Sequence, residues 1–234
     1  MTIRTIKAAL LISAITIFSS CTRFKYIHSD SYVMYYYIYD GIKLDTTSLY
    51  TNVKDNNGNM RAKRVRPEID INLRNIHKEV NWESEGEDYE LYQQLSIKHN
   101  DISYDSKVPI SYPPGIVLGV GSAIYPDWVS ISVTCDSDFD ASHPAGSELN
   151  DIMKGEFQSS FLYIKGGYKD ESLTLGKIKP LNEITADDLC MLAWRMTIYF
   201  TAKPEIQDKK QISVTVMTNE GNIYTDSCVF DFSL

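Results

Sequence analysis

The residues best placed to do chemistry lie in one run, Asp136-Ser137-Asp138-Phe139-Asp140, which sets three carboxylates at alternate positions after a strand-like stretch. Hard oxygen ligands at that spacing suit a divalent cation such as Ca²⁺. The helix-loop-helix calcium loop needs glycine at its sixth position and a bidentate acid at its twelfth. This chain has Ala141 and Ser147 there, with Glu148 one residue late, so that loop is excluded. A looser Ca²⁺ site on Asp136, Asp138 and Asp140 is one expectation; turn-formers that cap a strand end are the other. The histidines at 28, 77, 99 and 143 fall at no zinc spacing. Gly119-Val120-Gly121 has Ile124 where a dinucleotide fingerprint needs its third glycine, and Gly121-Ser122-Ala123-Ile124 does not complete a nucleophile elbow. Acid pairs for glycoside cleavage can be drawn anywhere among 31 Asp and Glu, so none is singled out.

Four cysteines punctuate the chain, at 21, 135, 190 and 228. If Cys21 is set apart, three pairings remain for one disulfide in an oxidising compartment. Cys135 and Cys228 both sit in strand-like runs and are the pair to expect; three small buried core residues are the alternative.

Cys21 is set apart by what precedes it. Met1 to Lys7 carries Arg4 and Lys7 and no acid, Ala8 to Phe18 is an unbroken apolar and small run, and two serines follow. That is the layout of an export signal. Eleven helical residues span roughly 16 Å, about half of a ~30 Å hydrocarbon core, so a permanent membrane helix is a poor reading. Phe18-Ser19-Ser20-Cys21 resembles the lipobox of bacterial lipoproteins, with Phe18 where Leu is usual. The resemblance implies cleavage before Cys21, acylation of that cysteine and a membrane partner held through the lipid. Two or three acyl chains anchor stably where one does not. In that family an Asp after the cysteine signals retention at the inner membrane. Thr22 stands here, which implies an outer-membrane lipoprotein of the cell envelope. Arg23-Phe24-Lys25 departs from the acidic run of surface-displayed members, so surface and periplasmic orientations both stay open.

Without residues 1–20 the chain keeps 21 basic groups against 31 acidic ones, a net charge of −10. Such a surface is repelled by nucleic acid, so no nucleic-acid partner is expected. A hydrophobic fraction of 43% supports a sizeable core.

Residues 21–30 read as a tether between anchor and fold. Tyr32 to Tyr39 fills seven of eight places with aromatic or β-branched residues and reads as a strand closed by Asp40-Gly41. Asp55 to Asn59 is a turn cluster, the basic run Met60 to Arg66 reads as a solvated face or charged edge, and Ile69 to Leu73 alternates as a half-buried strand. Tyr89 to Lys98 fits either a helix or a strand and is read as a strand, and Phe161 to Ile164 is another strand. Prolines 109, 113 and 114 with glycines 115, 119 and 121 mark a boundary between two small domains or a crossing loop within one. Trp128 to Cys135 alternates over eight residues. Thr185 with Asp188 three places on opens a short helix. Arg195 to Ala202 returns to a strand, and a hairpin closes the chain about Asn219-Glu220-Gly221-Asn222.

These short strands, with little helix and no βαβ alternation, predict an all-β chain built as an antiparallel immunoglobulin-like β-sandwich. The expected divisions are a signal peptide at 1–20, a tether at 21–30, a β-rich region at 31–125 and the sandwich at 126–234, or one domain over 31–234. The lipobox, the loop His143 to Asn150 and the terminal hairpin together resemble envelope lipoproteins that carry such sandwiches. The leading functional expectation is a non-catalytic, membrane-anchored protein that binds a protein or glycan ligand. The alternative is a hydrolase of an envelope or dietary glycan with Asp or Glu as acid and base.

Overall fold

The structure is a computed structural model that describes residues 24–29, 31–54, 60–109 and 121–233. The expected export signal, Cys21, the expected turn at 55–59 and the Pro113-Pro114-Gly115 run lie outside the described residues. The described chain is mostly β, 48% strand against 18% helix. Among the described residues no helix is long and apolar enough to cross a membrane.

The largest sheet has five strands, built from β3 (Gly41–Lys54), β4 (Met60–Arg74), β9 (Met153–Phe157), β10 (Lys177–Pro180) and β11 (Arg195–Phe200) in the order β10-β9-β11-β4-β3. Facing it is the sheet β13-β12-β8, made of β8 (Trp128–Cys135), β12 (Lys209–Thr218) and β13 (Ile223–Asp231). The expected hairpin is here, with Ile212, Val214 and Val216 wholly buried. Apolar residues on alternate positions of both sheets meet in one core: Ile42, Leu44, Ile69 and Ile71 from one, Ile131, Val133, Val214 and Phe230 from the other. β11 pairs with β4 from Arg195↔Asn72 to Ile198↔Ile69. Strands from the stretches 31–125 and 126–234 therefore share one sheet.

A second core packs around the sheet β5-β2-β7, formed by β2 (Val33–Ile38), β5 (Lys78–Asn81) and β7 (Gly121–Tyr125). The pair β2–β7 is parallel, which corrects the all-antiparallel expectation. β7 belongs to both cores: Ala123 faces the second, and Ile124 faces the first. Five tyrosines (32, 36, 92, 104 and 163) are buried in this second core.

Three further expectations are corrected. Residues 24–29 are not open tether; they form β1 (Phe24–Ser29), paired antiparallel with β6 (Tyr104–Pro109). Ladder bonds to a distant strand order a segment whose own pattern is silent. Tyr89 to Lys98 is helical, within α1 (Glu87–Lys98). Glu87, Asp88 and Glu90 favour its positive N-terminus, and Tyr92 and Leu95 bury one face. Phe161 to Ile164 lies in α2 (Phe161–Lys165), whose Tyr163 and Ile164 enter the second core before Gly166 and Gly167 end it. The Thr185 capping box is present and opens α3 (Ala186–Leu189).

Edges are closed by side chains. Asn150 imitates a strand against β8, with Oδ1 accepting from Val133 N at 3.1 Å and Nδ2 donating to Ile131 O at 2.9 Å. Asp226 accepts from Leu44 N at 2.8 Å where β13 passes β3.

Candidate functional site

The sites trace back to how α1 ends. His99 N donates to Leu95 O, Asn100 takes the left-handed conformation at φ +57°, and Asp101 N reaches Ser96 O at 2.8 Å. Such a wrapped C-terminus sends His99 and Asp101 into different parts of the interior. Asp101, fully buried, accepts from Tyr32 N at 2.7 Å, Val33 N at 2.8 Å and Tyr168 Oη at 2.8 Å, fixing the start of β2. Burial lifts its carboxyl above the ordinary range, against the pull of those three donors.

His99 meets Asp127, the residue just before β8. Its Nδ1 donates to Leu95 O at 2.9 Å, and its Nε2 stands 2.9 Å from Asp127 Oδ2. Asp127 also accepts from Met191 N at 2.9 Å on Oδ1 and from Asn219 Nδ2 at 2.8 Å on Oδ2. Burial pushes the Asp127 carboxyl up, but the His99 bond and charge with the Met191 amide outweigh it, and the net direction is down. Cys190, closing α3, completes a group with these two: His99 nitrogen, Asp127 oxygen and Cys190 Sγ all lie within 4.8 Å of one another. Burial first, and then the Asp127 charge, hold the thiol far above the usual range. With its thiol held protonated and His99 Nε2 engaged by Asp127, Cys190 is not an activated nucleophile in this arrangement.

Met191 and its neighbours lead from this cluster to the surface. Ser160 N donates to Met191 O, Ala193 N to Gln158 O, and Ser159 Oγ to Cys190 O at 2.6 Å. The two segments thus lie side by side and frame a depression of about 120 Å³ lined by Tyr32, Gly121, Ser122, Gln158, Ser160 and the Ala193-Trp194 pair. Gly121 permits the close packing, since a Cβ there would stand 3.0 Å from the Tyr32 ring and 3.2 Å from Ser160 Oγ. The lining carries hydroxyls, one carboxamide and an indole, with no charged group among these residues. Trp194 is 51% exposed, with the Arg195 guanidinium 5.3 Å from its ring centre.

The acids singled out in the sequence sit elsewhere. Asp136 Oδ1 accepts from Gln211 N at 3.1 Å, Asp138 Oδ1 from Ala145 N at 2.8 Å, and Asp140 Oδ1 from Ser142 N at 2.8 Å and His143 N at 3.0 Å. Asp138 and Asp140 thus bond their own loop, and Asp136 bonds the neighbouring strand β12. Among the described residues the group of three metal-ligating side chains within 4.8 Å is His99, Asp127 and Cys190. The Asp140 bond, aided by Asp151, raises the His143 imidazole.

The Cys135–Cys228 disulfide is corrected: Cys135, Cys190 and Cys228 are all free thiols. Ile212 on β12 is the register partner of Cys135 on one side and of Cys228 on the other. Two strand spacings of about 4.8 Å separate them by roughly 10 Å, beyond the ~7 Å limit for a bridge.

The His99–Asp127–Cys190 group escaped the sequence reading because its members are 28 and 63 residues apart with no fixed spacing. Asn100 after an apolar helical face was a usable signal for the wrapped end that aims His99. Comparison with protein-family models, with curated proteins and with solved structures finds no match.

Proposed function

We propose that this chain is an outer-membrane lipoprotein, anchored through lipid on Cys21, that binds an uncharged glycan without transforming it. The two facing sheets are then an immunoglobulin-like sandwich whose large sheet is completed by β3 and β4. The carrying observation is the lining of the Tyr32–Trp194 depression, where an exposed indole adjoins hydroxyls and a carboxamide. Aromatic faces with neutral hydrogen-bonding groups suit sugar rings, and a charged ligand would find no counter-charge in that lining. A hydrolase needs two carboxyl groups flanking the bond to be cut, and this lining has none. The anchor rests on the resemblance of Phe18-Ser19-Ser20-Cys21 to a lipobox.

Affinity electrophoresis through gels containing neutral polysaccharides tests the ligand. The wild type is expected to be retarded, and Trp194→Ala to run as in an empty gel. Equal mobility of both proteins in every polysaccharide overturns the glycan reading. Separately, Cys21→Ala is expected to leave the membrane fraction, and its retention there overturns the anchor.

A further inference from the structure

The His99–Asp127–Cys190 group, two of its members buried and Cys190 half-buried, has the composition of a metal centre. Imidazole, carboxylate and thiolate together suit a cation of borderline softness, which points to zinc before calcium or magnesium. The remaining atoms of these side chains are already held as the outer partners of metal ligands are. Leu95 O fixes His99 Nδ1, which leaves Nε2 for the metal, and Met191 N takes Asp127 Oδ1, while Oδ2 meets His99 Nε2 and also accepts from Asn219 Nδ2. Met191 meets this demand in the left-handed region, at φ +50°, a conformation that costs a non-glycine residue free energy and persists only where the surroundings impose it. Charge also balances: a neutral imidazole, one carboxylate and one thiolate neutralise a divalent ion, so the filled site carries no net charge into the interior. Asn219, exposed on the turn after β12, donates to Asp127 Oδ2 and so links the group to the surface.

We propose that His99 Nε2, Asp127 Oδ2 and Cys190 Sγ bind one Zn²⁺, with water in the fourth position. Binding releases two protons to solvent, the one held between His99 Nε2 and Asp127 Oδ2 and that of the Cys190 thiol, as coordination by a divalent ion requires. The ion then joins the end of α1, the start of β8 and the end of α3, and through Met191 to Trp194 it stiffens one wall of the depression. This inference stands apart from the glycan reading, since the metal can bind whether or not the depression holds a sugar.

The test is a Co²⁺ titration of the untagged full chain in detergent, stripped of metal and kept reduced. One equivalent is expected to produce visible d–d absorption and a near-ultraviolet thiolate-to-cobalt band, both erased by one equivalent of Zn²⁺. Cys190→Ala is expected to lose the near-ultraviolet band and to bind more than about tenfold more weakly. Cys135→Ser/Cys228→Ser, whose thiols lie outside the group, should titrate as the wild type does. A wild type with no saturable one-to-one spectrum overturns the proposal without reference to any variant, as does an unchanged thiolate band in Cys190→Ala. The cluster is then a buried polar clamp only.

Discussion

Replacing Asp101 by Asn should destabilise the fold far more than a change of one atom type suggests. The carboxylate satisfies two adjacent backbone N–H groups of β2 and the Tyr168 hydroxyl, all in a fully buried position. A carboxamide keeps one acceptor oxygen and turns an amino group toward the other donor. One buried N–H is left unsatisfied, at about 1–3 kcal/mol, and the remaining bonds lose the strengthening of a charge, about 1 kcal/mol more. Removing a buried charge offsets part of this, so the net loss is about 2–4 kcal/mol at neutral pH. Urea unfolding followed by fluorescence, with an unchanged slope, measures it. The sign of its pH dependence follows from the raised carboxyl. The folded state holds the Asp101 proton more tightly than the unfolded chain, so this contribution is fully present below the ordinary value of 3.8 and is lost as pH rises through the folded value. The stability difference between wild type and Asp101→Asn should therefore shrink from acid toward neutral pH. A difference under about 0.5 kcal/mol at all pH values, or one that grows with pH, refutes the reasoning.

Thr185→Ala removes the capping box of α3 and should cost about 1 kcal/mol, a fall of roughly 2–4 °C in melting temperature by calorimetry. His143, raised by its Asp140 bond, contributes stability that is fully present below its ordinary 6.5 and is lost as pH rises through the folded value. Its ring resonances should titrate above 6.5 and return toward that value in Asp140→Asn. Mass spectrometry after alkylation without reductant should find Cys135 and Cys228 in separately labelled peptides, and reductant should leave the melting temperature unchanged. A bridged 135–228 peptide would contradict the placement of Ile212 between them.

Local chemistry was legible where it acts over a few residues. Alternation in Trp128 to Cys135 and in Ile212 to Val216 placed strands because each buries one face on neighbours of the same pattern. Asn219 to Asn222 placed the hairpin turn, and Thr185 with Asp188 placed a helix start. The acids 136, 138 and 140 each take up backbone donors, Asp138 and Asp140 from the following loop and Asp136 from Gln211 on β12. The segment Tyr89 to Lys98 was misread because its apolar residues fit either period until tertiary burial of Tyr92 and Leu95 selects the helix.

The sequence by itself determined the mostly β character, the turn at Asn219 to Asn222, the acidic charge and the resemblance of Phe18-Ser19-Ser20-Cys21 to a lipobox, because these depend on composition and near neighbours. Tertiary structure alone decided which strands share a sheet, that β2 and β7 run parallel, that β12 holds Cys135 and Cys228 apart, and that His99, Asp127 and Cys190 converge. Those facts depend on which distant segments bury one another's surfaces. Contacts of that kind leave no periodic trace along the chain, so only the folded arrangement of both cores brings them together.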